Sequence, residues 1–466
     1  MRPLEHLSLA KSVLGLIVWA IAGAVASAQD PRDLSRNRAI LLPPQELTQQ
    51  ETAPGFAADS SAQSRNELSV DWLIGQVIAR NPSLEQMAAA YRAASARYPQ
   101  VTSLDDPMLG AYAAPGAFGS NSVNGGYRIE VSQKFFYPGK RALRGDNALA
   151  EARAACNDVE DMRLQLVESA TSAFYDFFLV ERAMAVNEEN LRLLREFKQN
   201  AESRFQTGLA IQQDVQQAEV EIGRQLERQI ELEHQRKISQ ARINTLMHEA
   251  PDAPLPSPPA QAALKSLLPD ASALRSVAVS RRPDLQALAN RIAAEEASLA
   301  LAYKDRYPDV EVMAAYDAFW QERPLQTTVG VKINLPVRLA RRQGAIEEAR
   351  AKIAERRAEL EKQVDQVNFQ VQEAYEQVRQ RERIVGLYEK TILPAAAGNL
   401  QAARTAYVTG KVSFLNLIEA QRTVVTLKDR YYESVADYHR RLAGLERVIG
   451  GRFDVPAAAD RLRPGR

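Results

Sequence analysis

The chain has 466 residues, of which 45% are hydrophobic, and its 59 basic side chains are balanced by 58 acidic ones. Hydrophobic content at this level is sufficient for a large core. The net charge of +1 gives no support for a nucleic-acid partner. Cys156 is the only cysteine in the sequence, so a disulfide cannot form within one chain.

The N-terminus has the pattern of a secretory signal peptide. Basic residues at positions 2 and 11 precede an apolar run from Val13 to Val25, and Ala26-Ser27-Ala28 supplies the small residues of a cleavage site. We therefore expect residues 1–28 to be removed on export. Residues 29–66 are rich in Pro, Gln, Ser and Ala, and we expect them to form a flexible N-terminal segment.

The second half of the chain repeats the first at a spacing of about 200 residues. Asn81-Pro82 recurs as Arg282-Pro283, and Thr207-Gly208 recurs as Thr409-Gly410. This duplication predicts two copies of one unit, each with a helix, a β-hairpin, a long helix and a returning helix. The expected boundaries are 67–249 for the first repeat, 250–268 for a Pro-rich connector, 269–450 for the second repeat and 451–466 for a C-terminal tail.

Ahead of each predicted long helix, apolar and polar residues alternate with a period of two. This alternation predicts strands at Tyr127–Phe135 and Thr327–Leu335, with partner strands at Pro107–Ala113 and Val310–Tyr316. Strands of about nine residues with one apolar face match tilted membrane-spanning strands; a soluble hairpin packed on a helix is the alternative. Four strands cannot close a barrel in lipid, so we expect three chains to associate and supply 12 strands.

Residues 341–392 carry heptad repeats, which predict helices packed as in a left-handed coiled coil. The two series are Ile346, Ile353, Leu360, Val367 and Ala374, and Val364, Val371, Val378, Val385 and Ile392. We expect a helix from Arg341 to Tyr407, about 100 Å long, with a kink near Pro394. The matching helix of the first repeat is expected from Arg141 to Phe205. Returning helices are expected at Gln212–His248 and Ser413–Ile449, because each Thr-Gly pair supplies a left-handed turn.

These features together resemble the TolC-like outer-membrane channels of tripartite efflux pumps, the outer membrane factor family. The resemblance lies in the two Thr-Gly turns with the helix starts 214–218 and 416–420 that follow them, in the duplicated hairpins, and in Leu393-Pro394. It implies a mainly α fold with a small β part, in which a homotrimer forms a 12-stranded barrel in the outer membrane and an α-helical barrel in the periplasm.

The resemblance also implies a function and partners. The chain would be a passive duct that works with a periplasmic adaptor (membrane fusion) protein and an inner-membrane transporter, of the proton-driven RND type. Residues 106–109 and 131–141 look more like the heavy-metal-exporting branch of the family than its drug or toxin exporters. The alternative function is that of a periplasmic coiled-coil adaptor or scaffold that never enters lipid.

Two groups of site residues follow from the resemblance. The predicted adaptor-docking tips are Thr207, Gly208, Leu209, Thr409, Gly410 and Lys411. The predicted residues of the periplasmic aperture are Asn416 and Glu419, which would line it, and Tyr407 and Asp214, which would help to hold neighbouring helices in its closed state. Asn416 and Glu419 are three residues apart, which places them on one face of the returning helix. Val412 stands where the family has a basic partner for the aperture.

The sequence gives little support for an enzyme. Pro138-Gly139-Lys140-Arg141 lacks the upstream glycine and the Ser or Thr of a phosphate-binding loop. Glu231 and His234 have a metal-ligand spacing, but a di-metal bundle needs a second such motif and more carboxylates. We therefore expect no catalytic residues, no cofactor and no metal site.

Overall fold

The computed structural model of the chain describes residues 67–117, 126–208, 210–264 and 268–453. The expected signal peptide and the N-terminal segment to residue 66 lie outside these residues. The same is true of tail residues 454–466 and connector residues 265–267.

The first half of the described chain begins with short helices, continues with two strands and ends with two long helices. These elements are α1 (Val70–Arg80), α2 (Pro82–Ser95), α3 (Arg97–Thr102), β1 (Met108–Ala113), β2 (Tyr127–Phe135), α4 (Lys140–Gln206) and α5 (Gln212–Leu246). Helix α4 has 67 residues, which corresponds to about 100 Å at 1.5 Å per residue.

The second half has a similar order of elements. They are α6 (Ala271–Arg281), α7 (Pro283–Lys304), β3 (Val310–Asp317), β4 (Thr327–Ile333), α8 (Leu339–Leu387), a π-helical turn (Tyr388–Ile392), α9 (Leu393–Val408) and α10 (Phe414–Val448). The π-turn lies just before Pro394, near the expected kink. Proline cannot donate the backbone hydrogen bond of an α-helix, and π-turns are one way in which a helix accommodates that loss.

The single helix expected at the start of each half is broken. Asn81 and Arg282 have extended backbone angles, and the prolines that follow them begin α2 and α7. A residue before proline is biased away from the helical region, and proline is favoured at the first helical position. The Asn81 side chain also accepts a hydrogen bond from the Ser83 amide at 3.0 Å and so caps α2.

The four strands form one antiparallel sheet in the order β1-β2-β3-β4. Val131 pairs with Leu109 on one side and with Ala314 on the other, while Val312 of β3 pairs with Val331 of β4. The pairing of β2 with β3 joins the two halves of the chain. Strands β1 and β4 each have one edge without a partner strand in the described chain.

One face of the sheet is apolar and exposed. The side chains on this face that are at least two-fifths exposed are Leu109, Tyr127, Ile129, Val131, Val312, Tyr316, Val329, Val331 and Ile333. The opposite face carries the charged side chains of β2 and β4, and there Lys332 of β4 binds Glu130 of β2 at 3.2 Å. The alternation expected from the sequence is present in β2 and β4, whereas β1 places Met108 and Tyr112, and β3 places Met313, on the same side as the charged residues.

The helices pack through apolar seams. The heptad positions Ile346, Val367, Val371, Val378 and Val385 of α8 are each no more than 1% exposed. Part of this seam packs against α6 and α10, and a separate cluster around the phenylalanines of α4 joins α1, α5 and α10. In the described part of the chain, no helix has both the length and the apolarity that a membrane span requires.

Candidate functional site

The turn after α9 is closed by backbone hydrogen bonds. Gly410 has a φ of +74°, and its amide donates to the Tyr407 carbonyl at 3.0 Å, while the Lys411 amide donates to the Ala406 carbonyl at 2.8 Å. This is a Schellman motif, which requires a left-handed residue that glycine supplies without strain. The Thr409 hydroxyl donates to the Ala406 carbonyl at 3.1 Å and further satisfies the helix end.

The turn after α4 has the same construction as far as the structure describes it. Gly208 has a φ of +73°, and its amide donates to the Phe205 carbonyl at 3.0 Å. The Thr207 hydroxyl bonds the carbonyls of the preceding turn. Leu209, the remaining predicted docking residue, lies outside the described residues.

The two turns share one apolar core, which we call the tip core. Its buried members are Leu194, Phe197, Ala201, Ala218, Tyr407, Phe414, Leu417 and Ile418. These residues come from α4, α5, α9 and α10, so the tip core holds the two hairpin ends side by side. Val412 packs partly buried against it. The Tyr407 ring meets the Phe414 ring edge-on at 5.4 Å.

Arg204 of the first tip connects the two tips. Its Nη1 donates to the carbonyl of Val408 at 2.7 Å, at the end of α9, and its guanidinium lies 5.1 Å from the centre of the Tyr407 ring. Both contacts are favourable, because a cation is attracted to the face of a tyrosine ring and to the negative C-terminal end of a helix. Val412 is apolar and cannot act as the basic partner that the family resemblance implies at this position. The positive charge near Asp214 and Tyr407 comes from Arg204.

Asp214 and Tyr407 are brought close together. Burial raises the pKa of Asp214, and the nearby Arg204 opposes that rise. Burial also raises the pKa of Tyr407, and the negative charge of Asp214 adds to the rise. A carboxyl with a raised folded-state pKa stabilises the fold at low pH, and this contribution is lost as pH rises through the raised value. Within the described chain the Tyr407 hydroxyl is buried and makes no hydrogen bond.

Asn416 and Glu419 lie on the exposed side of α10, away from the tip core. Glu419 is not a free carboxylate, because Arg422 binds it at 2.6 Å one turn further along the helix. Arg422 also binds Glu221 of α5, through its Nε at 3.1 Å. Glu221 is only 3% exposed and is bound by Arg224 at 3.0 Å. We call these four charged residues the acid–arginine cluster.

Sequence reasoning missed Arg204, Arg422 and Glu221. Arg422 follows Glu419 at a spacing of three, which is a helical ion-pair spacing and could have been recognised. No local signal connects Glu221 with Arg422, since the two residues are 201 positions apart in the chain.

No group of three or more His, Cys, Asp or Glu side chains suited to a metal ion is found among the residues that the structure describes. Glu231 and His234 are both exposed on α5.

Comparison with known proteins shows the family. The sequence model of the outer membrane efflux protein family matches residues 73–248 and 274–451. These two segments make up well over half of the chain, and the chain therefore belongs to this family. The resemblance to TolC-like channels is confirmed, and a member of this family is a passive efflux channel rather than an enzyme.

Individual relatives agree with this assignment. The chain is 23% identical to "Nodulation protein T" of Rhizobium leguminosarum bv. trifolii over 327 residues, which cover 67% of this chain and 69% of that protein. The fold is similar to that of CusC, with a TM-score of 0.70 at 16% identity over 83% of this chain and 93% of that one. It is also similar to VceC of Vibrio cholerae, with a TM-score of 0.69 at 18% identity over 83% and 97%.

Proposed function

We propose that three copies of this chain form the outer-membrane channel of a tripartite efflux system. The observation that carries the proposal is the sheet, which combines a continuous exposed apolar face with one edge on β1 and one on β4 that no strand of the described residues pairs. In lipid each unpaired backbone group costs several kcal/mol, so β4 of one chain must pair with β1 of the next. Three chains would then close a barrel of 12 strands, within the known range for such barrels.

The measured mass of the folded protein tests this proposal. Extracted from outer membranes in mild detergent, the protein should have the mass of a homotrimer, and heating in dodecyl sulfate should convert it to monomers. Native mass spectrometry or light scattering corrected for detergent gives the answer directly. A folded sample that is monomeric at all concentrations would rule out the proposed channel.

The long helices support a periplasmic location for the rest of each subunit. Helix α4 alone is about 100 Å long. In the second half of the chain, α8 and α9 together span a similar length before the second tip. We propose that the tips face a periplasmic adaptor, and that an inner-membrane transporter, of the proton-driven RND type, supplies the cargo. Asn416 and Glu419 would line the aperture at this end, and Tyr407, which is buried, would help to hold the helices around it together with Asp214.

The adaptor proposal predicts a specific effect at Gly208. No atom lies within 4 Å of a Cβ placed there, so a leucine would fit, at a backbone cost of about 1–2 kcal/mol for the left-handed turn. We expect Gly208→Leu to weaken adaptor binding roughly tenfold, or about 1.4 kcal/mol, while trimers still form. Pull-down of a matched adaptor with purified trimers measures this.

Two controls separate docking from folding. Gly223→Leu places the same side chain on exposed, open helix surface of α5 and should leave adaptor binding unchanged. Gly208→Asn keeps a residue that tolerates the left-handed conformation, so its turn should form with little strain. Loss of trimers in Gly208→Leu would mean that the glycine only permits the turn.

We extend the proposal to heavy-metal cations as cargo on the resemblance of residues 106–109 and 131–141 alone. In the fold these residues belong to the junction between strands and helices. Lys140 there is buried and binds Asp309 at 2.9 Å, a contact that serves the architecture of the junction.

A further inference from the structure

The segment that follows β4 carries an unusual combination of side chains. Leu335, Val337 and Leu339 are 75%, 77% and 69% exposed, which makes them more exposed than Val331 or Ile333 of the strand itself. They continue the odd-numbered apolar series of β4 beyond its last paired residue. The segment therefore has the pattern of a strand that still lacks its neighbour.

Two exposed arginines lie in the same segment. Arg338 and Arg341 make no side-chain hydrogen bond or ion pair with any residue that the structure describes. Their neighbours Arg342 and Arg306 do have partners, the carbonyl of Asp305 at 2.8 Å and the side chain of Gln343 at 3.0 Å.

These two charges do not stabilise the helix on which they lie. Arg338 is the residue before α8, Arg341 is in its first turn, and that turn has no acidic residue. Positive charge at a helix N-terminus opposes the helix dipole, and like charges three residues apart repel each other. Both guanidinium groups are therefore available to negative charge outside the described contacts of one chain.

The opposite edge of the sheet carries that charge at the same end. Asp105 and Asp106 immediately precede β1 and are exposed, and neither carboxylate has a partner among the described residues. Because the four strands are antiparallel in sequence order, β1 starts at the end of the sheet where β4 finishes. Within one chain the two edges are three strand spacings apart, or about 14 Å, too far for an ion pair.

We propose that Arg338 and Arg341 of one subunit form ion pairs with Asp105 and Asp106 of the next subunit. The partner is thus a second copy of this chain, and the contact fixes the register in which β4 of one subunit meets β1 of its neighbour. A one-residue slip in register would turn every side chain to the wrong face. Ion pairs beside the contact between β4 and β1 would therefore favour the register that closes the barrel. The inference rests on the proposed trimer and names the residues that close it.

Engineered disulfides test the contact directly, because Cys156 is the only native cysteine. In a Cys156→Ser background, Asp106→Cys combined with Arg338→Cys should give covalent dimers and trimers on mild oxidation. The reach of a disulfide, about 7 Å between Cα atoms, excludes a bond between the two sheet edges of one subunit. The control pairs Asp106→Cys with Arg383→Cys, an exposed arginine much further along α8. It should give at least about tenfold less cross-linked product.

Charge reversal provides a second, independent measurement. Replacing Asp105 and Asp106 by lysine, or Arg338 and Arg341 by glutamate, should lower the fraction of trimers that survive heating by about fivefold. Combining all four changes in one chain should restore survival to near the wild-type level, since every subunit supplies both edges.

The outcomes separate this inference from the proposed function. Trimers that form but give no more cross-links than the control, or that are not rescued by the combined reversal, would overturn the ion-pair contact and leave the channel proposal standing. A protein that is monomeric before any substitution would overturn both. Survival that falls only in vesicles with anionic phospholipid would assign the arginines to lipid instead.

Discussion

Replacing Lys140 by methionine is expected to destabilise the folded subunit by about 3–5 kcal/mol, because it removes one partner of a buried ion pair. Lys140 is 2% exposed at the first position of α4. Its ammonium binds Asp309 at 2.9 Å, Asp305 at 3.3 Å and the Tyr307 carbonyl at 3.0 Å. Methionine fills a similar volume but leaves the Asp309 carboxylate, only 12% exposed, without its cation.

The loss should appear as a lower melting temperature of the trimer in detergent and as less trimer in the outer membrane. Lys304→Met is the matched control, because that ammonium contacts the backbone carbonyl of Pro138 at 3.0 Å in an exposed setting. We expect it to cost no more than about 0.5 kcal/mol. Adding Asp309→Asn to Lys140→Met should recover most of the stability, since it removes the unpaired charge. A melting temperature unchanged in Lys140→Met would show that the junction does not depend on this pair.

Replacing Arg422 by glutamine is expected to change conduction more than any substitution at Glu419. Arg422 joins α10 to the buried Glu221 of α5 and at the same time neutralises Glu419. Its removal weakens the packing of the two returning helices at the tip and frees negative charge at the proposed aperture. Arg422 is 38% exposed and Glu221 keeps Arg224 as a partner, so the loss is smaller than for a fully buried pair. A loss of about 1.4 kcal/mol is enough for a tenfold rise in open population.

Planar-bilayer recordings on purified trimers measure this effect. Arg422→Gln should raise the resting conductance about tenfold and increase the preference for cations, because carboxylates in a narrow pore focus a negative field. Glu419→Gln should reduce the preference for cations by less than the loss of an unpaired carboxylate would, because the charge of Glu419 is already paired. Asn416→Asp adds an unpaired carboxylate and should increase block by multivalent cations.

A control on the same helix is available in Arg447. It binds Glu168 at 2.9 Å in a partly exposed pair far from the tips, and Arg447→Gln should leave conduction unchanged. If Arg422→Gln trimers conduct and select ions like the wild type, the acid–arginine cluster neither lines nor holds the aperture.

The sequence by itself determined which elements this chain forms. The strand at Tyr127–Phe135 was predicted with its exact bounds, and the first long helix, expected from Arg141 to Phe205, is observed as Lys140–Gln206. These features are local: period-two alternation, heptad spacing and a left-handed glycine each act over a few neighbouring residues. Two local details differ: the helix expected at the start of each repeat is divided at Asn81 and Arg282 by the proline that follows, and the strand expected to Leu335 ends at Ile333.

The tertiary structure decided which residues from the two halves meet. Arg204 reaches Val408, and Arg422 reaches Glu221, across about 200 positions of chain, and β2 pairs with β3 between the repeats. Sequence spacing carries no information about such contacts, because they depend on how separate helices pack rather than on the period within one helix. Glu419 shows the consequence: its position and exposure followed from the sequence, but its effective charge is set by Arg422, whose other partner comes from the opposite half of the fold.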